Sequence, residues 1–291
     1  MKRIIALLLA VLMLAGLAAS ACADYSGTRT VIGADLTEDQ IAQVYRVFDV
    51  SRGSVQEMRV TNADERAYLN GYVDTALIGT RSISSVYVEL KNDGSGMDVS
   101  TSNITWCTPE MYIAALATAG ITDATIIVAS PFECSGTAAL VGIYKAYEDI
   151  TGNQLDDTAK LVSTQELTIT GELAEEIGSM DSVSIVNELK MMLSETSTMT
   201  DEEIRNEIVA IAGQYNVTLN DTQINQLIEL CRSLEGLDDN SLLQRVQEVQ
   251  GTLKKVSDAK TKVLGFIETA KKVVSTVTEF INKMKDIFGW E

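Results

Sequence analysis

The sequence predicts an α+β protein, in which an N-terminal α/β sandwich is followed by an all-helical C-terminal region. Three observations lead to this fold class. Strand-like and helical segments alternate between residues 37 and 152, and strand signals fade after about residue 153. Apolar residues then recur with helical spacing from 242 to 288.

The α/β region begins with a helix, a strand and a second helix. Residues 37–48 have the pattern of a helix whose N-cap is Thr37. Residues 54–61 are predicted to form a strand. The second helix starts at Asn62, and Glu65 three residues later has the position that a capping box requires.

A hairpin and a central strand are predicted next. Residues 83–90 alternate in polarity as a strand, a glycine-containing turn covers 92–96, and residues 97–101 form the returning arm. The continuous apolar run at 124–129 is typical of a strand buried on both faces.

Two further helices complete the region. One covers residues 108–120, with Pro109 at its first position, and the other runs from a Ser135 cap to about residue 150, where Gly152 stops it. The middle six elements therefore follow the order β-α-β-β-α-β, which is that of a ferredoxin-like fold.

The C-terminal region shows only helical patterns. They lie near residues 172–178, 182–194, 201–214, 221–235 and 240–288. The sequence is accordingly divided into a signal peptide (1–23), an α/β domain (24–153), a helical domain (154–239) and a long amphipathic basic helix or helices (240–291).

The 240–291 segment differs in charge from the rest of the chain. It holds nine basic and six acidic residues, whereas residues 24–239 hold 12 basic and 35 acidic residues. Its apolar seam alternates spacings of four and three residues, and Lys260 alone interrupts it. One interpretation is a helix packed in a bundle on the acidic body, which the wide apolar face favours. The other is docking to an envelope protein, an anionic membrane or a wall polymer.

The first residues have the pattern of a secretory signal peptide. A basic start precedes the apolar run at 4–19, and small residues follow it. Ala21 and Ala23 form an A-x-A site, which places cleavage after Ala23. The alternative is lipidation at Cys22, which the pattern favours less because Ala19 stands where a lipobox prefers Leu.

The composition excludes several classes of function. The 291 residues carry a net charge of −18 and include no His. Catalytic triads and zinc sites that need His are therefore excluded, and the negative charge argues against nucleic-acid binding. No residue pattern indicates a cofactor or a metal site, since the cysteine spacing matches no metal motif.

Removal of the signal peptide leaves three cysteines. Cys107 and Cys134 lie in the same predicted domain and can form a disulfide in an oxidising compartment, leaving Cys231 as a thiol. The favoured interpretation treats all three as small buried hydrophobic residues.

The chain resembles the YpuA-like proteins, a secreted bacterial family with a domain of unknown function, DUF1002. The resemblance covers most of residues 30–235 and lies in five stretches: 32–37, 78–85, 101–106, 118–120 and 135–140. It implies an extracellular, Firmicutes-type protein. It implies no catalytic residues, because the family has no established activity.

Candidate binding residues lie in three of these stretches. Arg81 and Ser84 precede or enter a strand, where the guanidinium can clamp an anion or pair with a surface carboxylate. Residues 135–137 lie where a helix is predicted to begin, and backbone N–H groups there can also bind an anion. A role in capping the helix is an alternative explanation of the same residues. The resulting set is Arg81, Ser84, Asn103, Ser135, Gly136 and Thr137.

Other oxygen-rich segments carry weaker signals. Asp93, Ser95 and Asp98 surround the glycine turn but lack the spacing of a calcium loop. The adjacent carboxylates at 64–65, 175–176 and 202–203 point in different directions on a helix, which does not suit a glycosidase. The sequence therefore favours a non-enzymatic binding or structural role at the cell envelope. The alternative is a His-free hydrolase that uses carboxylates or Ser135.

Overall fold

The computed structural model describes residues 27–69, 75–238, 240–258 and 275 of the chain. They form a mixed five-stranded sheet with helices, followed by an all-helical region, so the predicted α+β class is confirmed. Among the described residues, no helix is both long and apolar enough to cross a membrane.

The elements are numbered in chain order. The strands are β1 (Thr28–Gly33), β2 (Gln56–Val60), β3 (Ser85–Leu90), β4 (Asp98–Ile104) and β5 (Ala124–Cys134). The helices of the α/β region are α1 (Glu38–Phe48), α2 (Asn62–Leu69), α3 (Thr75–Ile78), α4 (Pro109–Ala119) and α5 (Thr137–Thr151). The helical region contains α6 (Asp157–Ile177), α7 (Ser179–Met191), α8 (Leu193–Thr196), α9 (Asp201–Gln214), α10 (Asp221–Leu234) and α11 at residues 240–258.

The sheet order is β2-β1-β3-β5-β4, which corrects two predictions. The segments at 83–90 and 97–101 do not form a hairpin, because β5 lies between β3 and β4 and pairs with both. The arrangement is not ferredoxin-like either. The parallel strands β1 and β2 are direct neighbours, as are β4 and β5, whereas a split βαβ unit places another strand between them.

The two faces of the sheet bury different helices. Val31, Val86 and Val128 contribute to a cluster with α4 and α5, which we call the sheet cluster. The neighbouring strand positions Ile32 and Tyr87 pack with α1 on the other face. This alternation follows from the two-residue period of a strand, and it leaves α4 buried between the sheet and α6.

Local capping signals explain where several helices begin. Thr37 and Gln40 form a capping box at α1, as the Thr37 signal predicts. The box at α2 lies one residue earlier than predicted. Thr61 and Asp64 exchange its hydrogen bonds, at 2.8 Å and 3.1 Å, which leaves Glu65 free for another contact.

The apolar residues of the C-terminal region form a second cluster, which we call the helical cluster. It contains residues from α6, α7, α9 and α10. Helix α11 connects the two clusters, because Leu242 and Val246 belong to the helical cluster while Val249 and Leu253 belong to the sheet cluster. The described part of the 240–291 segment therefore packs on the body. Residues 259–291, apart from 275, lie outside the described residues, so their docking to a membrane or partner stays a prediction.

We expect Val246→Ala to lower the free energy of unfolding by about 2 kcal/mol, because it removes buried methyl groups and leaves a cavity. Urea unfolding measures this loss. Gln247→Ala is the control, since position 247 is exposed on the same turn of α11. Equal stability of the two variants would contradict the packing of α11 on the helical cluster.

Candidate functional site

A cleft of about 480 Å³ lies where the residues before β3 meet the ends of β4 and β5. We call it the candidate cleft. Its walls come from α2 and α3, from the segment between α3 and β3, and from the start of α5. The lining residues are Glu65, Ala76, Leu77, Ile78, Gly79, Thr80, Arg81, Ile83, Ser84, Thr105, Trp106, Cys134, Ser135, Gly136, Thr137 and Ala138.

Five of the six predicted binding residues line this cleft. They are Arg81, Ser84, Ser135, Gly136 and Thr137. Asn103 does not join them, because its side-chain amide donates a 2.8 Å hydrogen bond to the carbonyl of Ser130. Its positive φ of 58° indicates a structural role at the irregular end of β4.

The start of α5 is built differently from the prediction. Gly136, not Ser135, is the N-cap residue, and its φ of 100° favours glycine. The Ser135 hydroxyl instead donates a 2.8 Å hydrogen bond to the Leu77 carbonyl. The Ala139 amide donates to Ser84 Oγ at 3.1 Å, so a side chain distant in sequence caps this helix.

Sequence reasoning missed Glu65 as a member of the site. Its side chain extends from α2 to the start of α5, where Thr137 Oγ1 donates a 3.2 Å hydrogen bond to Glu65 Oε2. Glu65 is only 1% exposed, and its Oε1 atom makes no hydrogen bond of standard geometry to the described residues. The sequence does hold one signal for this residue. Glu65 stands four residues before Leu69 and therefore lies on the same, buried face of α2.

Burial raises the pKa of Glu65 from 4.5 to about 7. The Ser82 and Thr137 hydroxyls and the charge of Arg66 oppose this shift, while Asp35 adds to it. Near neutral pH the carboxyl group therefore exists in both forms. It can accept a hydrogen bond when ionised and donate one when protonated.

Arg81 lies exposed at the edge of the cleft. In the described part of the chain, its guanidinium group donates a 3.0 Å hydrogen bond to the backbone carbonyl of Asp35 and forms no ion pair with a carboxylate. Its other N–H groups remain able to bind a ligand. The interpretation of Arg81 as half of a surface ion pair is therefore not supported by its described contacts.

Trp106 forms a fixed wall of the cleft. Its indole N–H donates a 3.0 Å hydrogen bond to Glu175 on α6, and its ring packs against Gly171 of the same helix. A Cβ atom at Gly171 would come within 2.7 Å of Trp106 Cη2, so only glycine leaves room for the ring.

We expect Gly171→Ala to destabilise the protein by about 1–3 kcal/mol and to displace the Trp106 ring, because the added methyl group overlaps it. Gly213→Ala is the matched control. Nothing lies within 4 Å of a Cβ atom there, so the alanine should stabilise α9 by about 0.5–1 kcal/mol. Thermal unfolding followed by tryptophan fluorescence measures both effects. Similar behaviour of the two variants would show that Trp106 does not rest on Gly171.

The other oxygen-rich segments have structural partners. Lys91 Nζ binds Asp98 Oδ2 at 2.5 Å and the Gly96 carbonyl at 3.3 Å, so a lysine ammonium group already lies against the glycine turn. No group of three or more His, Cys, Asp or Glu side chains within the described ranges is arranged to hold a metal ion.

The adjacent carboxylate pairs are likewise held in separate contacts. Asp64 caps α2 and binds Lys145, at 3.0 Å, while its neighbour Glu65 enters the cleft. Glu175 accepts from Trp106, Glu176 accepts from Gln223, and Glu203 caps α9. Of the described lining residues, Glu65 is the only carboxylate, which does not supply the pair that a glycosidase uses.

The three described cysteines are free thiols. Cys107 is fully buried, and burial raises the pKa of its thiol to about 12. Burial also raises the pKa of Cys134, which lines the cleft. Cys107 and Cys231 are buried as the favoured interpretation expects, whereas Cys134 is half-buried, and the Cys107–Cys134 disulfide is not formed in the structure.

Comparison with known proteins agrees with the resemblance seen in the sequence. Residues 32–256 match the family described as "Protein of unknown function (DUF1002)". The chain is also 36% identical over 258 residues to "Uncharacterized protein YpuA" of Bacillus subtilis (strain 168), which covers 88% of this chain and 84% of that protein. No solved structure matches. The chain therefore belongs to the DUF1002 family.

Proposed function

We propose that this protein is exported and acts as a non-enzymatic binding protein at the cell envelope, with a small ligand held in the candidate cleft. The observation that carries this proposal is the buried Oε1 atom of Glu65, a residue that lines the cleft: Oε1 makes no hydrogen bond of standard geometry to the described residues, although the Ser82 hydroxyl lies near the carboxyl group. A buried polar atom without a partner is costly, so a ligand that supplies the partner gains that free energy on binding.

The rest of the cleft also suits a binding site. It combines apolar residues of α3 and the Trp106 ring with several hydroxyl groups, as small-molecule sites do. Trp106 is held in place by Gly171 and Glu175, so this wall is formed before a ligand arrives.

The hydrolase alternative has less support. A carboxylate mechanism needs two acidic groups at roughly 5–10 Å, and the described lining supplies Glu65 alone. The Ser135 hydroxyl donates to a backbone carbonyl, whereas a nucleophilic serine donates to a general base. The contacts of these side chains therefore favour binding over catalysis.

The proposal of export is supported by the signal-peptide pattern of residues 1–23. Mass spectrometry of the protein produced in a Gram-positive host tests it. Cleavage after Ala23 gives a chain that begins at Asp24 and is found outside the membrane. A diacylglyceryl group on Cys22 would show lipidation instead, and retention of residues 1–23 in the cytoplasm would contradict export.

Ligand-observed NMR with a fragment mixture tests the use of the cleft. We expect fragments to bind the wild-type chain. Their binding should be lost in the Thr80→Trp variant, because the substitution places a bulky ring at the exposed rim of the cleft. Val209→Trp is the matched control. It adds the same ring at an exposed position of α9, a helix that contributes no residue to the lining of the cleft. Fragments that bind all three proteins equally, or none, would contradict the proposal.

A further inference from the structure

We propose that the candidate cleft binds a small organic acid, whose carboxylate contacts both Glu65 and the first turn of α5 and whose apolar part packs against Trp106. This inference rests on the proposed function and adds the chemical class of the ligand. It is argued from the groups in the cleft that lack partners, from the charges around them, and from the apolar lining.

The groups without partners at the inner end of the cleft are mainly hydrogen-bond donors. The first N–H groups of a helix have no acceptor within that helix. Ser84 accepts the Ala139 amide, which leaves the amides of Thr137 and Ala138, two lining residues with no acceptor in the described part of the chain. A carboxylate oxygen satisfies such donors, and the helix dipole favours a negative charge there.

Glu65 is the second, independent observation. It is almost completely buried and lines the same cleft, and its Oε1 atom makes no hydrogen bond of standard geometry to the described residues, although the Ser82 hydroxyl lies near the carboxyl group. In its protonated form this carboxyl group donates a hydrogen bond, and the acceptor it needs is again a carboxylate. The ligand therefore binds together with a proton on Glu65, because two ionised carboxylates in contact would repel each other.

The surrounding charges discriminate against a cationic ligand. Arg81 stands at the edge of the cleft, and Arg66 lies close enough to Glu65 to lower its pKa. Both arginines and the dipole of α5 disfavour an ammonium group at this position. The titratable groups that face Glu65 from the packed elements are Asp35, Arg66, Tyr112 and Cys134. Asp35 opposes an anion, but the Ser82 amide already donates to it at 2.7 Å.

The apolar lining sets the nature of the rest of the ligand. Leu77, Ile78 and Ile83 line the cleft together with Trp106. A hydrocarbon or aromatic group buried against them adds to the affinity roughly in proportion to the apolar area removed from water. The inferred ligand is therefore an acid with an apolar or aromatic body rather than an inorganic anion.

Phenylacetate is the probe for this inference, and its binding is measured by the fluorescence of Trp106. The test uses Trp290→Phe, because Trp106 and Trp290 are the two tryptophans of the chain. If only the protonated Glu65 form binds, the affinity at pH 6 is about tenfold higher than at pH 8, in proportion to the protonated fraction. Glu65→Gln is expected to bind with an affinity that does not change with pH. Arg81→Met should weaken binding without affecting the fold, since Arg81 is exposed.

Two probes with the same body serve as controls. Phenethylamine presents an ammonium group and 2-phenylethanol presents a neutral hydroxyl group. Equal or tighter binding of either probe would overturn the assignment of an acid. If ligand-observed NMR shows that Thr80→Trp weakens this binding, the cleft is retained as a binding site. Binding of phenylacetate that is unchanged by pH and by Glu65→Gln would also overturn it. If no probe binds and the fragment screen finds no ligand that Thr80→Trp displaces, the proposed function itself fails.

Discussion

Replacing Lys190 by Met is expected to lower the free energy of unfolding by about 3–5 kcal/mol, because it leaves the buried Glu166 carboxylate without its cationic partner. Lys190 and Glu166 are 0% and 1% exposed, and their charged atoms lie 2.8 Å apart between α7 and α6. Lys190 Nζ also donates to the Ala114 carbonyl at 3.1 Å, which connects this pair to α4. The pair therefore holds the α/β region against the helical region.

Urea unfolding at neutral pH measures this effect, and two variants serve as controls. The double variant Lys190→Met with Glu166→Leu removes both charges and should recover much of the lost stability, since apolar residues tolerate this site. Arg205→Met removes an exposed ion pair with Asp221 and should cost about 1 kcal/mol or less. A Lys190→Met variant as stable as Arg205→Met would show that the buried pair does not form.

The second large effect is a dependence of stability on pH that originates from Glu65. Its pKa is about 7 in the folded protein against an ordinary value of 4.5. The folded state therefore binds the proton more tightly than the unfolded state between these values. The resulting stability is fully present below about pH 4.5 and is lost as the pH rises through about 7, a change of about 3 kcal/mol.

Glu65→Gln is expected to remove this loss, because the amide does not ionise. Urea unfolding at several pH values from about 5 to about 8 gives the slope for each protein. Asp64→Asn is the matched control on the same helix. Although burial opposes it, hydrogen bonds from Thr61 and Lys145 lower the pKa of Asp64, so its contribution is lost only at more acidic pH. A slope that Glu65→Gln leaves unchanged would show that another group is responsible.

Local signals in the sequence were sufficient for much of the secondary structure. Helix α4 begins at Pro109 and ends at Gly120 in a left-handed conformation, as the two residues predict. The strand at β1 was missed, although Val31 and Ile32 face opposite sides of the sheet. The pairing of β3 and β4 was wrong because proximity in sequence favoured a hairpin, whereas β5, which follows them in the chain, lies between them and pairs with both.

The candidate site was predicted only in part, for a similar reason. Arg81, Ser84 and Thr137 were identified from their residue types, and the fold brings them to one cleft. The spacing of Glu65 and Leu69 places Glu65 on the buried face of α2, but the depth of its burial depends on tertiary packing. The cap of α5 comes from Ser84, more than fifty residues earlier, and so the adjacent Ser135 was wrongly given that role.

The position of α11 has a consequence for how the molecule comes apart. Its side chains enter both apolar clusters within four turns, so neither cluster can lose its packing without exposing residues of the other. Cooperative unfolding in a single transition follows from such shared burial. We therefore expect the two halves that the sequence distinguishes to unfold together, as parts of one thermodynamic unit.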